Sequence, residues 1–185
     1  MKIIVTDYRK CVGCHSCEIA CAISKSKSQT LLEAILEEPR PASRVRVVPV
    51  QHHAIPMQCS QCEDAPCIAV CPTKALYRLT PEDPVLFQKA VCIGCSSCVL
   101  VCPFGAIRKA PGGIMAKCDL CITRLEEGKQ PACVEACPTG ARQLVPADRV
   151  AEDKLRKMAS AISQQEFGEE KGSGSPEKTV LQVVA

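Results

Sequence analysis

Sixteen cysteines fall into four blocks of four with none left over: Cys11, Cys14, Cys17 and Cys21; Cys59, Cys62, Cys67 and Cys71; Cys92, Cys95, Cys98 and Cys102; Cys118, Cys121, Cys133 and Cys137. In a chain of 185 residues with three Phe, two Tyr and no Trp, little aromatic bulk remains to close a core, so the cysteines must organise the fold. Disulfide scaffolds reach such densities in secreted chains. Here the opening apolar run is only Ile3, Ile4 and Val5, too short for a secretory leader. The expected compartment is therefore the reducing cytoplasm, where dense cysteines read as metal ligands. Closely spaced cysteines also suit a shared metal core better than separate bridges. No apolar run approaches the roughly 20 residues that span a bilayer, so no direct membrane insertion is expected.

The first and third blocks are spaced C-x2-C-x2-C-x3-C, the run that holds a [4Fe–4S] cluster in bacterial ferredoxins. The second and fourth stretch one gap, to C-x2-C-x4-C-x3-C and C-x2-C-x11-C-x3-C. The first three sulfurs of a block lie on a loop that can wrap one cubane, with Gly13 and Gly94 permitting a close wrap. The fourth lies one helical turn beyond the third and points away. In two-cluster ferredoxins that fourth cysteine ligates the other cluster, interlocking two blocks. An internal repeat follows three of the blocks: Cys71-Pro72-Thr73-Lys74-Ala75, Cys102-Pro103-Phe104-Gly105-Ala106 and Cys137-Pro138-Thr139-Gly140-Ala141. The proline ends the turn and sends the chain into a short strand, such as Ala75-Leu76-Tyr77 or Ala106-Ile107-Arg108. The expected fold is α+β: tandem, nested bacterial-ferredoxin-like domains with short strands and helices around four iron–sulfur clusters. Four zinc sites would also use all sixteen thiolates, making the chain a zinc-stapled interaction module. Zinc sites, however, usually pair two C-x2-C knuckles across a longer spacer.

The rest of the chain divides around these blocks. Residues 1–145 form the double ferredoxin-like body, interrupted by an insertion at 23–44. In the insertion Leu31, Leu32, Ile35 and Leu36 have helical spacing; this stripe is expected to cap the body's own core, with partner docking as the alternative. Val45, Val47 and Pro49 alternate with Arg46 and Val48 as a strand, and Val85-Leu86-Phe87 form another. His52 and His53 fall in a solvated connector, while His15 sits in the first cluster loop as an electrostatic or hydrogen-bonding influence rather than a ligand. Residues 146–168 read as a helix capped by Asp148, with Ala151, Leu155, Met158 and Ile162 on one face. Core packing is again the first reading of that face, and a subunit contact the second. Residues 169–178 have linker composition and 179–185 read as a strand-like tail able to add to a sheet edge.

Clusters change the charge. The formal +3 treats every thiol as neutral; with four oxidised clusters the protein would carry about −5, and about −9 with one more electron on each. Arg9, Lys10, Lys74, Arg108, Lys109 and Lys117 are expected to offset part of this, and nucleic-acid binding is not needed to explain them. Glu63, Asp64 and Asp119 should disfavour further negative charge on their nearest clusters and lower those potentials.

The phrases Lys10-Cys11-Val12-Gly13-Cys14-His15-Ser16-Cys17-Glu18, Gln61-Cys62-Glu63-Asp64-Ala65-Pro66-Cys67, Cys92-Ile93-Gly94-Cys95 and Lys117-Cys118-Asp119-Leu120-Cys121 resemble the four-cluster ferredoxin-like electron-transfer subunits. Such subunits serve formate dehydrogenases, hydrogenases, dimethyl sulfoxide and nitrate reductases, and carbon monoxide dehydrogenase. The match runs over roughly residues 3–145 and includes all sixteen ligand positions. Short length, the opening Cys-Val-Gly-Cys-His-Ser-Cys-Glu and the lack of a membrane anchor look most like the carbon monoxide dehydrogenase iron–sulfur subunit. The resemblance implies four ligand sets, pairing the first block with the fourth and the second with the third: Cys11, Cys14, Cys17 and Cys137; Cys118, Cys121, Cys133 and Cys21; Cys59, Cys62, Cys67 and Cys102; Cys92, Cys95, Cys98 and Cys71. Spacing supports the inner pairing and is silent on the outer one. The least regular loop is the x11 gap, with Gly128 and Pro131.

The function that follows is a one-electron wire between a catalytic subunit and a second redox partner. The catalytic subunit would be carbon monoxide dehydrogenase first, with a formate dehydrogenase or hydrogenase as siblings; the second partner could be a flavin-dependent pyridine-nucleotide oxidoreductase. The chain offers no Gly-rich nucleotide loop, and its cysteines are all taken as ligands, leaving neither a nucleophilic thiol nor an open iron corner. No catalytic residue of its own is expected.

Overall fold

The computed structural model describes residues 1–167. The linker and tail expected at 169–185 lie outside the described residues. Residues 1–147 form one compact unit and residue 148 begins a second.

Four two-stranded antiparallel ribbons and six short helices build the first unit. Strand β1 (Lys2–Thr6) passes through a 3₁₀ turn at Tyr8–Lys10 into the first cysteine block, whose second half is helix α1 (Ser16–Ile23). Helix α2 (Leu31–Leu36) follows, then the hairpin of β2 (Arg46–Val50) and β3 (His53–Met57). The second block carries α3 (Pro66–Ala69) and leads to β4 (Leu76–Tyr77), which pairs with β5 (Leu86–Phe87). Another 3₁₀ turn, Lys89–Val91, opens the third block and its helix α4 (Ser97–Val101). Strands β6 (Arg108–Lys109) and β7 (Met115–Ala116) pair before the fourth block. That block holds α5 (Ile122–Glu126) and α6 (Ala132–Glu135). Strand β8 (Arg142–Pro146) closes the unit by pairing with β1 along its whole length, Thr6 opposite Arg142.

The connections repeat. The strand–3₁₀ turn entry to the first block is tied to the end of the fourth by the Asp7 N–H on the Ala141 carbonyl at 2.8 Å; the entry to the third is tied to the end of the second by Gln88 N–H on Ala75, also 2.8 Å. Each Cys-Pro phrase closes by the same turn: the N–H of Lys74, Gly105 and Gly140 meets the carbonyl of Cys71, Cys102 and Cys137 at 3.2 Å, and all three of these residues are left-handed. Two small cores result. One gathers Ala65, Cys67, Leu76, Val85, Cys98, Ile107 and Met115; the other gathers Cys17, Cys21, Val45, Val47 and Cys133. Cysteines take the places that aromatic side chains fill elsewhere.

Several local expectations change. Leu31, Leu32, Ile35 and Leu36 do not cap the core: they are 50–81% exposed, and the residue α2 turns inward is Ala34. Both ends of that segment are held by polar groups, Glu37 accepting from the N–H groups of Lys27 and Ser28 and Thr30 donating to Glu33 at 2.9 Å, so the helix needs no apolar seat. Pro49 is exposed, ending the inward alternation of Val45 and Val47. His52 lies in a tight turn and His53 begins β3, so the connector is a hairpin. The strand expected at Ala106–Arg108 starts only at Arg108, because Ala106 and Ile107 are spent on the turn and core. Of the fourth cysteines of the blocks only Cys21 lies inside a helix; Cys71, Cys102 and Cys137 fall at or just past helix ends, where the proline that follows stops the turn.

The second unit is represented by helix α7 (Ala147–Phe167), with Asp148 in its first turn, where a carboxylate complements the helix dipole. No helix among the described residues is long and apolar enough to cross a membrane.

Candidate metal centre

All sixteen thiols are free. Cys11, Cys14, Cys17 and Cys137 line one small cavity; Cys71, Cys92, Cys95 and Cys98 line another. These two sites are near copies. Cys14 and Cys95 are the exposed members, and in each a serine two residues on lowers the thiol pKa by hydrogen bonding, Ser16 for Cys14 and Ser97 for Cys95. Burial pushes Cys71 and Cys137 up. Backbone N–H groups outweigh it and bring both thiols down, led by that of Leu76 at Cys71 and that of Arg142 at Cys137, with Thr73 and Thr139 hydroxyls assisting. Gly13 and Gly94 stand in equivalent places with φ near +70°. A methyl group there would meet Ala54 Cβ at 2.9 Å and the Gly113 carbonyl oxygen at 2.8 Å.

Of the remaining eight cysteines none is exposed: Cys21, Cys67, Cys118, Cys121 and Cys133 are buried, and Cys59, Cys62 and Cys102 are intermediate. Burial pushes the thiols of Cys118 and Cys133 up, Cys133 to about 11, and the charge of Cys21 adds to both. Burial likewise raises Cys62 and Cys67, with Cys59 and Cys102 adding to each. Backbone N–H groups reach the sulfurs: Arg44 on Cys21 at 3.1 Å, Gln61 on Cys59 and Ala106 on Cys102, both at 3.4 Å. Neighbouring sets touch electrostatically, since Cys59 acts on Cys118 and Cys67 on Cys98. Where the outer loops have Gly13 and Gly94, the inner ones have Gln61 (φ 55°) and Leu120 (φ 59°), both buried. Gln61 accounts for its own strain by bonding: its Nε2 donates to the Cys118 carbonyl at 3.1 Å and its Oε1 accepts from Val85 N–H at 2.9 Å, tying the second block to the fourth. Arg78 holds the same loop from outside, donating to the carbonyls of Gln61, Cys62 and Glu63.

The charges differ from expectation. Asp119 is no isolated anion: Lys25 meets it at 2.7 Å, both half-buried, and the pair holds the Asp119 carboxyl below its usual range despite the opposing effect of burial. Of the basic residues singled out in the sequence, only Lys117 is buried, its Nζ donating to the carbonyls of Val85 and Cys118. Arg9, Lys10, Lys74 and Lys109 are exposed, and Arg108 is spent on the Ser43 carbonyl. His15 is exposed; its Nδ1 lies 2.9 Å from Glu18, whose other oxygen accepts from Val47 N–H.

The sequence reading missed a buried cation. Arg142 is 2% exposed, donates from Nη2 to Gln58 Oε1 at 2.9 Å and to Cys133 Sγ at 3.5 Å, and leaves Nε and Nη1 buried without an acceptor. The signal was in the repeat: after Cys-Pro-x-x-Ala stand Leu76 and Ile107, both buried, and in the third copy Arg142.

Known proteins bear on this arrangement. Residues 50–147 match the 4Fe–4S dicluster domain. The chain is 43% identical to an "iron-sulfur protein" of Rhodospirillum rubrum over 176 residues, covering 86% of this chain and 92% of that one. It is also 43% identical to the putative electron transport protein YsaA of Escherichia coli, covering 84% and 97%, and 36% identical to the thiosulfate reductase electron transfer subunit PhsB of Salmonella typhi, covering 75% and 72%. The chain belongs to the 4Fe–4S dicluster family. It is an iron–sulfur protein with a ferredoxin-like body of helices and small sheets.

The residues fit that cofactor. Soft thiolates are the donors such clusters take. The N–H groups aimed at the sulfurs stabilise their charged form, and a guanidinium with two orphaned donors has been buried beside them, a cost that only a nearby anion offsets.

Proposed function

We propose that the chain is a wire of four [4Fe–4S] clusters, the non-catalytic electron-transfer subunit of an oxidoreductase complex, with the wire confined to residues 1–145 and interrupted by the insertion at 23–44. The ligand sets are Cys11, Cys14, Cys17 and Cys137; Cys118, Cys121, Cys133 and Cys21; Cys59, Cys62, Cys67 and Cys102; and Cys92, Cys95, Cys98 and Cys71. Each cluster supplies one-electron chemistry. The observation that carries the reading is the contrast in exposure: Cys14 and Cys95 open two equivalent sites to solvent, while Cys21, Cys118, Cys121 and Cys133, one of the two inner sets proposed, are all buried. A carrier needs two accessible ends and an insulated middle. Apolar collars support the ends as partner contacts, because Val12 and Ile19 at one and Ile93 and Leu100 at the other occupy equivalent positions and are exposed.

The catalytic partner we favour is carbon monoxide dehydrogenase, on the resemblance of Cys11–Glu18; a formate dehydrogenase or hydrogenase is the sibling reading. The relative from Salmonella typhi bears the name of an electron transfer subunit of thiosulfate reductase, which supports service to a catalytic subunit of some kind. The second partner would be a redox protein such as a flavin-dependent pyridine-nucleotide oxidoreductase. Anaerobic affinity purification of the tagged full chain from its own cells, with co-purifying subunits identified by mass, tests both. Recovery of carbon monoxide dehydrogenase supports the favoured partner, and recovery of another oxidoreductase replaces it. Recovery of no redox enzyme counts against the subunit role.

A further inference from the structure

Arg142 is the least explained side chain among the described residues. It begins β8, opposite Thr6 on β1, and lines the cavity of Cys11, Cys14, Cys17 and Cys137. Its Nη2 reaches Cys133, which belongs to the neighbouring set in the wire proposed above. Its own backbone N–H serves Cys137. It makes no ion pair among the described residues, and its only side-chain oxygen partner is the neutral amide of Gln58. The repeat sharpens the anomaly, because the equivalent positions hold Leu76 and Ile107, each no more than 2% exposed, and a leucine would fill this place at no electrostatic cost. The other deeply buried cation, Lys117, is satisfied by two carbonyls; Arg142 has two N–H groups for which the protein offers nothing. A guanidinium presents five donors in a fixed fork, a shape suited to reaching two acceptors at once.

We propose that the Arg142 guanidinium is shared by two neighbouring clusters, donating from Nη2 to the Cys133 thiolate of one and from Nε and Nη1 to the core held by Cys11, Cys14, Cys17 and Cys137, and that it raises the reduction potentials of both. The inference rests on the ligand sets proposed above. An oxidised cluster with four thiolates carries a net charge of about −2 and gains another negative charge on reduction. A buried cation stabilises the reduced form more than the oxidised one, and does so strongly where the local dielectric is low.

The test is an EPR-monitored redox titration of the full chain loaded with iron, comparing wild type, Arg142→Leu and Arg142→Lys. Leucine is the residue of the repeat and preserves packing, so Arg142→Leu should load normally while two of its clusters become harder to reduce. At a fixed potential their reduced-to-oxidised ratio should fall by about tenfold or more, each tenfold being ~59 mV for one electron. Arg142→Lys should recover part of the shift, having the charge without the fork. A shift in no cluster, or in one alone, overturns the shared role. Should neither variant load iron, pulsed EPR of reduced wild type with arginine labelled by ¹⁵N at the guanidino nitrogens decides: coupling to two cluster signals supports the bridge, and no coupling overturns it. Iron and spin counts on wild type separate the two layers of the argument. Fewer than four clusters overturns the wire and the bridge together, whereas four clusters with unmoved potentials overturns the bridge alone.

Discussion

The two regularly spaced blocks and the two stretched ones solve the same problem differently. The first and third end on cavities with an exposed cysteine, a helping serine and a glycine whose missing Cβ lets another segment press against the loop. The second and fourth place side chains, Gln61 and Leu120, at that left-handed position and leave no cysteine exposed, Cys67, Cys118, Cys121 and Cys133 being buried. Wrapping by bare backbone suffices where water can share the work of solvating charge. Where water is excluded, amides and cations must come from the side chains: Gln61 and Lys117 bridge the inner loops, Lys25 with Asp119 flanks Cys121, and Arg142 stands beside Cys133. The two exposed thiols, Cys14 and Cys95, thus both lie in regularly spaced blocks, and the block with the widest gap has three of its four cysteines buried.

Four perturbations separate these regions. The largest effect should come from stripping iron with a chelator under anaerobic conditions. The two small cores count Cys17, Cys21, Cys67, Cys98 and Cys133 among their members, so the body of residues 1–147 should lose its cooperative thermal transition, read by circular dichroism. Next, Cys14→Ser at an exposed end should cost at most one cluster, about four irons of roughly sixteen, while Cys118→Ser in the buried middle should cost more than one; equal losses by iron assay would erase the distinction. Gly94→Ala puts a methyl group 2.8 Å from the Gly113 carbonyl oxygen at a left-handed φ and should destabilise the loaded protein by about 1–3 kcal/mol, seen as a lower Tm. The smallest shift should follow Lys25→Met, which leaves Asp119 unpaired near Cys21 and Cys121 and should lower the potential of one cluster, whereas Lys10→Met on the exposed rim should move none.

The cysteine blocks were legible in the sequence because ligand spacing is local: loop, turn and Cys-Pro stop all lie within a few residues of one another. The same holds for α2, the β2 strand and the Leu86–Phe87 pairing strand. What stayed hidden depends on contacts between distant segments. The pairing of β1 with β8, and the Lys25–Asp119 pair spanning 94 positions, leave no periodicity to read. The exposed face of α2 misled for a related reason, since an apolar stripe announces an interface without saying with what. Arg142 was visible only as a cation in a repeat position otherwise apolar, and its meaning depends on which sulfurs surround it.

The central claim is that four cubane clusters form one wire. Its most direct test is Mössbauer and EPR spectroscopy of the anaerobically purified full chain, with iron, sulfide and zinc quantified on the same sample. The account predicts about sixteen irons and as many sulfides per chain, all in [4Fe–4S] form, and four reducible spins that interact with their neighbours. Stoichiometric zinc in place of iron, fewer than four clusters, or four magnetically isolated ones would contradict it.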